Sequence, residues 1–321
     1  MAEATLAPSA SLAAADYFSS WLRHMGGRVR PKTLEGYENL LRRHAMPRIG
    51  AVPLAELTPL VIQELYTSLM AEGRLQAGTV LNLHLVLTQA LGQAVRWGMI
   101  GANPVSGAQP PRPRRKEPVV IDEALAMTIL SKARGTQIEL AVVLALSTGM
   151  RRGEILGLCW SDFAPDLSVA HVRRSLQAVG GELVFAEPKT RRSRRSVPLG
   201  EVPRASLAKA RAEAMSSGRP WERSPVVPGA GGGPMNPGTL SSAWRGLVRR
   251  SKLPAIRFHD LRHGHATLML IKGVHPKVVS ERLGHASIGI TLDTYSHVLP
   301  TMQAEAVAAF DELIAAQGEL V

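Results

Sequence analysis

The chain has 321 residues, 45% hydrophobic and 20% charged, with 38 Lys and Arg against 26 Asp and Glu for a formal charge of +12. Its length exceeds the ~100–200 residues of an ordinary domain, and its composition excludes a wholly disordered chain or a peptide-sized module. The charge favours a polyanionic partner without choosing among DNA, RNA and an anionic membrane, and it lies late: residues 111–321 hold 29 basic and 19 acidic side chains, residues 1–110 only nine and seven.

Cys159 is the lone cysteine, which fits a reducing compartment. The opening MAEATLAPSASLAAADYF has neither the basic start nor the apolar core of a signal peptide. No stretch approaches 18 uncharged apolar residues. The expectation is a soluble, cytoplasmic protein with no membrane partner.

Tyr17, Trp21 and Leu22 predict a first helix, closed by Gly26-Gly27. Leu34, Tyr37, Leu40 and Leu41 repeat at helical spacing and predict a second, with Pro47 and Gly50 ending the pattern. A third covers roughly residues 58–72, and VLNLHLVLTQALGQAVRW gives a longer fourth before Asn103-Pro104. These helices predict a small bundle over residues 8–105, because their apolar faces need one another. A Pro-rich basic linker follows over 106–117. Pro110, Pro111 and Pro113 favour extended backbone, while Arg112, Arg114, Arg115 and Lys116 keep it wet and able to track phosphates.

IDEALAMTILSKA and IELAVVLALST then predict two helices, and TGMRRGEILGLCWSDF a third whose entry is loosened by Gly149. The period changes next: residues 167–177 alternate like a strand, Gly180-Gly181 supplies a turn, 183–187 give a second strand and SVPL a third. From Arg204 the chain returns to helices around a flexible GAGGGPMNPG segment. The predicted fold class is mainly α with a small antiparallel β-sheet.

Six of the ten histidines fall in residues 257–297. Without a cysteine cluster, and with arginines interleaved, this composition suits an anion better than zinc. His259 and Arg262 are three apart, so on a helix they share a face, and a guanidinium fork fits two phosphate oxygens. The same spacing also suits a purely structural arginine. Arg151 opens another predicted helix with Glu154 one turn later to orient it, and Arg152 competes for the same role. Lys189, Arg191, Arg192, Arg194 and Arg195 read first as a solvated hairpin tip, although strand periodicity lets one member turn inward. Lys189 is a candidate acid for an alkoxide leaving group. Tyr295 is the only tyrosine beyond residue 66, and its phenol is a candidate nucleophile toward phosphorus.

The blocks TGMRRGEILGLCWSDF, EPKTRRSRRSVPL and HDLRHGHATLMLIKGVHPKVVSERLGHASIGITLDTYSHV, in that order, resemble the tyrosine recombinase, or phage integrase, family. The resemblance covers a catalytic domain over 118–300 and, more loosely, a helical core-DNA-binding domain over 8–105. It implies Arg151 and Arg262 as phosphate-binding arginines, Glu154 as support, Lys189 as general acid, His259 and His285 as the two histidines, and Tyr295 as nucleophile. The implied reaction is site-specific strand exchange through a 3′-phosphotyrosyl intermediate, needing no metal or other cofactor. His263-Gly264-His265 departs from the apolar helix continuation common in the family, so His263 and His265 are poor guides to chemistry.

The implied partners are double-stranded DNA crossover sites, a homotetramer on paired sites, and accessory DNA-bending or directionality proteins. Arg112, Arg114, Arg115, Lys116, Arg152, Arg191 and Arg192 are the candidate DNA contacts. Residues 301–321 form a tail whose amphipathic helix, containing Met302, Ala306, Ala309, Phe310, Leu313 and Ile314, is expected to dock on a neighbouring protomer, with packing onto its own domain as the alternative. A mobile-element integrase is the favoured subtype over a chromosome-dimer resolvase, which stays the alternative, although an extra amino-terminal arm-binding module is expected to be absent. The competing activities are a catalytically silent DNA-binding or directionality protein and type IB topoisomerase relaxation.

Overall fold

The computed structural model describes residues 12–113, 119–187, 194–216, 222–295, 307–308, 310–312 and 314–315; of Thr294 and Tyr295 it describes only the backbone. Among the sequence candidates, Arg114, Arg115, Lys116, Lys189, Arg191 and Arg192 lie outside the described residues. The chain divides into two compact units, Met1–Glu117 and Pro118–Val321.

The first unit is helical: α1 (Ala14–Met25), α2 (Pro31–Leu40), a π-turn (Leu41–Ala45), α3 (Met46–Ile49), α4 (Pro59–Ala71) and α5 (Ala77–Arg96). Tyr17, Phe18, Trp21, Leu41, Ile62, Leu69, Leu83, Leu87 and Leu91 are fully buried at its centre. Trp21 stacks on Tyr37, and the Tyr17 hydroxyl donates to the Ala90 carbonyl at 2.6 Å, so this buried phenol has a partner. Thr58 caps α4 by accepting from the Val61 amide.

Pro47 does not end the second helical run. The backbone opens into the π-turn just before it, and the ring enters α3 near its start, where its missing N–H costs no helical bond. Helical geometry then ends at Ile49, before Gly50.

The second unit begins with α6 (Glu123–Ala133), capped by Asp122, and α7 (Glu139–Thr148). Helix α7 is apolar nearly all round and runs through the core, in keeping with its lack of a polar face. Short α8 (Arg152–Leu156) precedes β1 (Val169–Val172), β2 (Ser175–Val179), β3 (Glu182–Ala186) and β4 (Arg195–Pro198). Then come α9 (Glu201–Ser216), α10 (Pro237–Arg250), α11 (Asp260–Ile271), α12 (Pro276–Leu283) and α13 (Ile288–Tyr295).

The β-structure is small and antiparallel, as two ladders: β1 pairs with β4, and β2 pairs with β3 around Gly180-Gly181. The expected single strand over residues 167–177 therefore starts two residues late and is broken once. Leu167 takes a left-handed turn with φ +60°, braced by the Ser168 amide and hydroxyl on the Asp166 carboxylate. Arg173 and Arg174 break the run because both turn toward Asp162, which is 1% exposed; Arg174 reaches it at 2.7 Å. Among the described residues, no helix is long and apolar enough to cross a membrane.

Gly149 joins α7 to α8 at φ +65°, and a β-carbon there would sit 2.5 Å from Leu283 Cδ2 and 2.7 Å from the His265 ring. Gly149→Ala is therefore expected to destabilise the folded protein by about 1–3 kcal/mol, from left-handed strain and the displaced neighbours. Urea denaturation of both proteins tests this; a midpoint unchanged from wild type contradicts it.

Candidate active site

The site is built on two glycine turns. At the first, Gly149 ends α7 and delivers Arg151 to the N-cap of α8. Glu154, one turn on and 5% exposed, accepts from the Arg151 amide at 2.9 Å and from Arg151 Nη1 at 2.8 Å. The Arg151 side chain remains 40% exposed, and its Nη2 reaches the Gly284 carbonyl at 3.3 Å. Arg151 is thus aimed and still open to a ligand. Arg152 is exposed and donates to the Ser241 hydroxyl on α10, so the two adjacent arginines stand in different surroundings.

Helix α11 supplies the next group. His259 stands at its N-cap, and Arg262 is buried one turn later with Nη1 donating to the Gly149 carbonyl at 2.8 Å. One glycine residue thereby couples the two arginine segments. His259 and His263 meet edge to face at 5.1 Å. His259 keeps an exposed face, but packing around the ring, followed by the charges of His263 and Arg262, holds its pKa down to about 4.

At the second turn, Gly284 ends α12 with φ +68° and places His285 beside the first helical turn of α13. His285 Nδ1 lies 2.7 Å from the hydroxyl of buried Thr291. Tyr295 follows Thr291 by four residues and is the last residue of α13, so both belong to one helical face. Desolvation, then Arg262 and Arg151, depress the His285 pKa to about 4. His285 therefore lies within the field of both arginines and is neutral at ordinary pH. A cleft of about 300 Å³ opens here, lined by Arg195, Lys277, Ser280, Gly284, His285 and Ile288 among others.

Arg195 is the inward-facing hairpin arginine that composition left unidentified. Its side chain is 7% exposed and sits on the Glu154 carboxylate, with Nη2 to Oε2 at 2.9 Å. Burial alone would raise the Glu154 carboxyl, but Arg195 and then Arg151 hold it below the usual carboxylate range. Arg194, by contrast, is exposed and pairs with Glu187. Arg112 is also exposed. The alternation of sides along β4 was the available signal for Arg195; the position of its partner was not.

His265 and Arg282 form a second buried support. The His265 Nδ1–H donates to the Leu146 carbonyl at 2.8 Å, leaving Nε2 to accept from Arg282 Nε at 3.1 Å. Arg282 also donates to the carbonyls of Ser147 and Pro198. Helices α7, α11 and α12 and strand β4 are tied together behind the site. Burial, then Arg282, push the His265 pKa down to about 4. Among the described residues, no group of three or more His, Cys, Asp or Glu is arranged to hold a metal ion.

Residues 121–302 match the family model described as Phage integrase family, and residues 15–70 match that for the phage integrase N-terminal SAM-like domain. The chain is 28% identical to a tyrosine recombinase XerC-like protein of Caldanaerobacter subterraneus, across 93% of this chain and 82% of that protein. It is 30% identical to the ICEBs1 integrase of Bacillus subtilis over a shorter stretch, 53% of this chain and 47% of that one. Its fold is similar to that of the Tn1549 transposon integrase in complex with a circular intermediate DNA, with TM-score 0.79, 23% identity, and coverage of 93% of this chain and 100% of the other. A lambda integrase tetramer bound to a Holliday junction matches at TM-score 0.66 and 22% identity, covering 86% and 78%.

The neutral state of His265 sets a pH dependence. Its pKa falls from the usual 6.5 when unfolded to about 4 when folded, so its stabilising contribution is complete above about pH 6.5 and is lost as pH falls toward 4. His265→Asn keeps a side-chain N–H but cannot titrate. The variant is expected to melt lower than wild type at pH 7.5, with a shallower loss of melting temperature between pH 6.5 and 5. Parallel pH profiles for the two proteins would sink this assignment.

Proposed function

The chain belongs to the phage integrase family of tyrosine recombinases, enzymes of site-specific DNA strand exchange, and on that premise we propose how its own residues perform the reaction. The observation that carries the reading is the meeting of Arg151, Arg262 and His285 at the Gly149 and Gly284 turns, on the same scaffold as the helix ending in Tyr295.

Tyr295 Oη attacks the scissile phosphorus and forms a P–O bond, while the bond to the 5′-oxygen breaks. The DNA is held as a 3′-phosphotyrosyl ester, and Lys189 supplies the proton that leaves with the 5′-hydroxyl. Arg151 and Arg262 stabilise the charge that grows on the nonbridging oxygens in the transition state. The Thr291 hydroxyl donates to His285 Nδ1, leaving the His285 proton on Nε2 as a further donor to phosphate. Neutral His259 accepts the proton that Tyr295 Oη gives up as the P–O bond forms, and returns it when the tyrosine is released. A 5′-hydroxyl from the partner duplex then attacks the ester, releases Tyr295 and completes the exchange.

The biological role we assign is integration or excision of a mobile genetic element at double-stranded crossover sites in the cytoplasm. Relatives named as the ICEBs1 integrase and the Tn1549 transposon integrase support this choice. Paired sites are bound by a homotetramer, with the tail helix docking on a neighbouring protomer. In support, Val307, Phe310 and Ile314 fall at helical spacing and all three are exposed on their own chain. Arg112, Arg152 and the basic residues at 114–116 and 191–192 are assigned to phosphate contacts outside the reacting centre, and accessory DNA-bending or directionality proteins to the control of assembly.

Tyr295→Phe should bind a suicide crossover duplex as wild type does, yet trap no covalent adduct. Lys189→Ala should cleave poorly on native DNA and recover selectively on a 5′-bridging phosphorothiolate, whose leaving group needs no proton. An adduct from the phenylalanine variant refutes the nucleophile, and an equal lysine defect on both substrates refutes the acid.

Removal of residues 302–321 should preserve folding and binding to one duplex but abolish tetramers on paired duplexes, read by light scattering. A folded truncation that assembles and recombines normally would defeat docking between protomers.

A further inference from the structure

Arg195 stands at the root of the basic hairpin but differs physically from the neighbouring Arg194. Arg194 is solvated on the surface, whereas Arg195 buries its guanidinium on Glu154, the carboxylate that orients Arg151. Its Nε donates to the Arg282 carbonyl at 2.7 Å, and a β-carbon at Gly284 would approach its Nη1 to 3.0 Å. Arg195 therefore packs against the turn that carries His285 and accepts from Arg151.

The charges give this contact a consequence beyond packing. Glu154 and Arg151 alone sum to zero, so a carboxylate that aims Arg151 also cancels it. With Arg195 included, the trio carries one net positive charge, and the exposed member is Arg151. A buried anion shared with a second cation orients the first without discharging it.

We propose that Arg195 is a positioning residue for strand cleavage: it offsets the charge of Glu154 so that Arg151 meets the scissile phosphate as a full cation, and it braces the Gly284 turn under His285. The inference rests on the reading of Arg151 as a phosphate ligand, and it assigns Arg195 no contact with DNA. A buried ion pair with only a structural role would alter folding and affinity without regard to the charge on the reacting phosphate. A role through Arg151 depends on that charge.

The test is rapid-quench cleavage at saturating crossover duplex by the full-length protein, with either a native phosphate or a neutral methylphosphonate at the scissile position. Arg195→Gln is expected to bind the duplex normally but cleave native DNA on the order of 100-fold more slowly, the scale of one lost electrostatic stabiliser. On methylphosphonate, the gap from wild type should shrink at least about tenfold, because less negative charge develops there. If circular dichroism shows that Arg195→Gln does not fold, Arg195→Lys replaces it. That variant keeps the cation on Glu154 while losing the guanidinium fork, so it should cleave native DNA within about tenfold of wild type.

Equal defects on both substrates, or wild-type cleavage of native DNA by Arg195→Gln, overturn the inference. So does a folded Arg195→Lys variant no faster than Arg151→Ala. If Arg151→Ala itself cleaves native DNA at the wild-type rate, the phosphate-site reading fails instead, which separates the two failures.

Discussion

One buried carboxylate organises the catalytic unit. Glu154 bonds to the backbone and side chain of Arg151 and to the guanidinium of Arg195, so α8 and β4 meet on a single acidic group. Removing such a group from water is unfavourable unless its lone pairs are used, and here four donor contacts use them. The Gly284 turn then closes over the pair by accepting from Arg151. Much of the remaining site geometry follows from keeping that carboxylate ionised and enclosed.

The surrounding histidines show the other side of the same electrostatics. His259, His265 and His285 are all held near pKa 4, because burial and neighbouring guanidiniums disfavour another cation. Positive charge in this region is therefore permanent, on arginines, while the imidazoles act as neutral donors and acceptors. The division suits a dianionic transition state: fixed charge offsets the growing negative charge, and neutral rings direct hydrogen bonds. For His265, Leu146 and Arg282 fix which nitrogen carries the proton.

The sequence made parts of this site legible through short spacings. Arg151 with Glu154, and His259 with Arg262, are each three residues apart, and local helical geometry is enough to bring each pair to one face. Arg195 was hidden among chemically identical neighbours, since its distinction depends on Glu154, 41 residues away. The Arg282–His265 tie was hidden for the same reason, at 17 residues. The helices are readable from period, but Pro47 does not end its run because a π-turn absorbs a proline that would end a regular helix. The alternating run at 167–177 does not form one strand because Asp162, outside the run, draws Arg173 and Arg174 away from it.

That interruption has a mechanical consequence. Strands β1 and β2 are neighbours in the chain yet share no ladder, because β1 is bonded to β4 and β2 to β3. A rotation of the β2–β3 hairpin is therefore not carried through strand-to-strand hydrogen bonds into the ladder containing Arg195. Arg173 and Arg174 link the two ladders and are held on the carboxylate of Asp162. Strand β2 instead lies against α8, where a β-carbon at Gly153 would meet the Leu176 carbonyl at 2.8 Å. The hairpin root is thus wedged on the helix capped by Arg151, and a tilt would reach that arginine by steric contact rather than through a ladder.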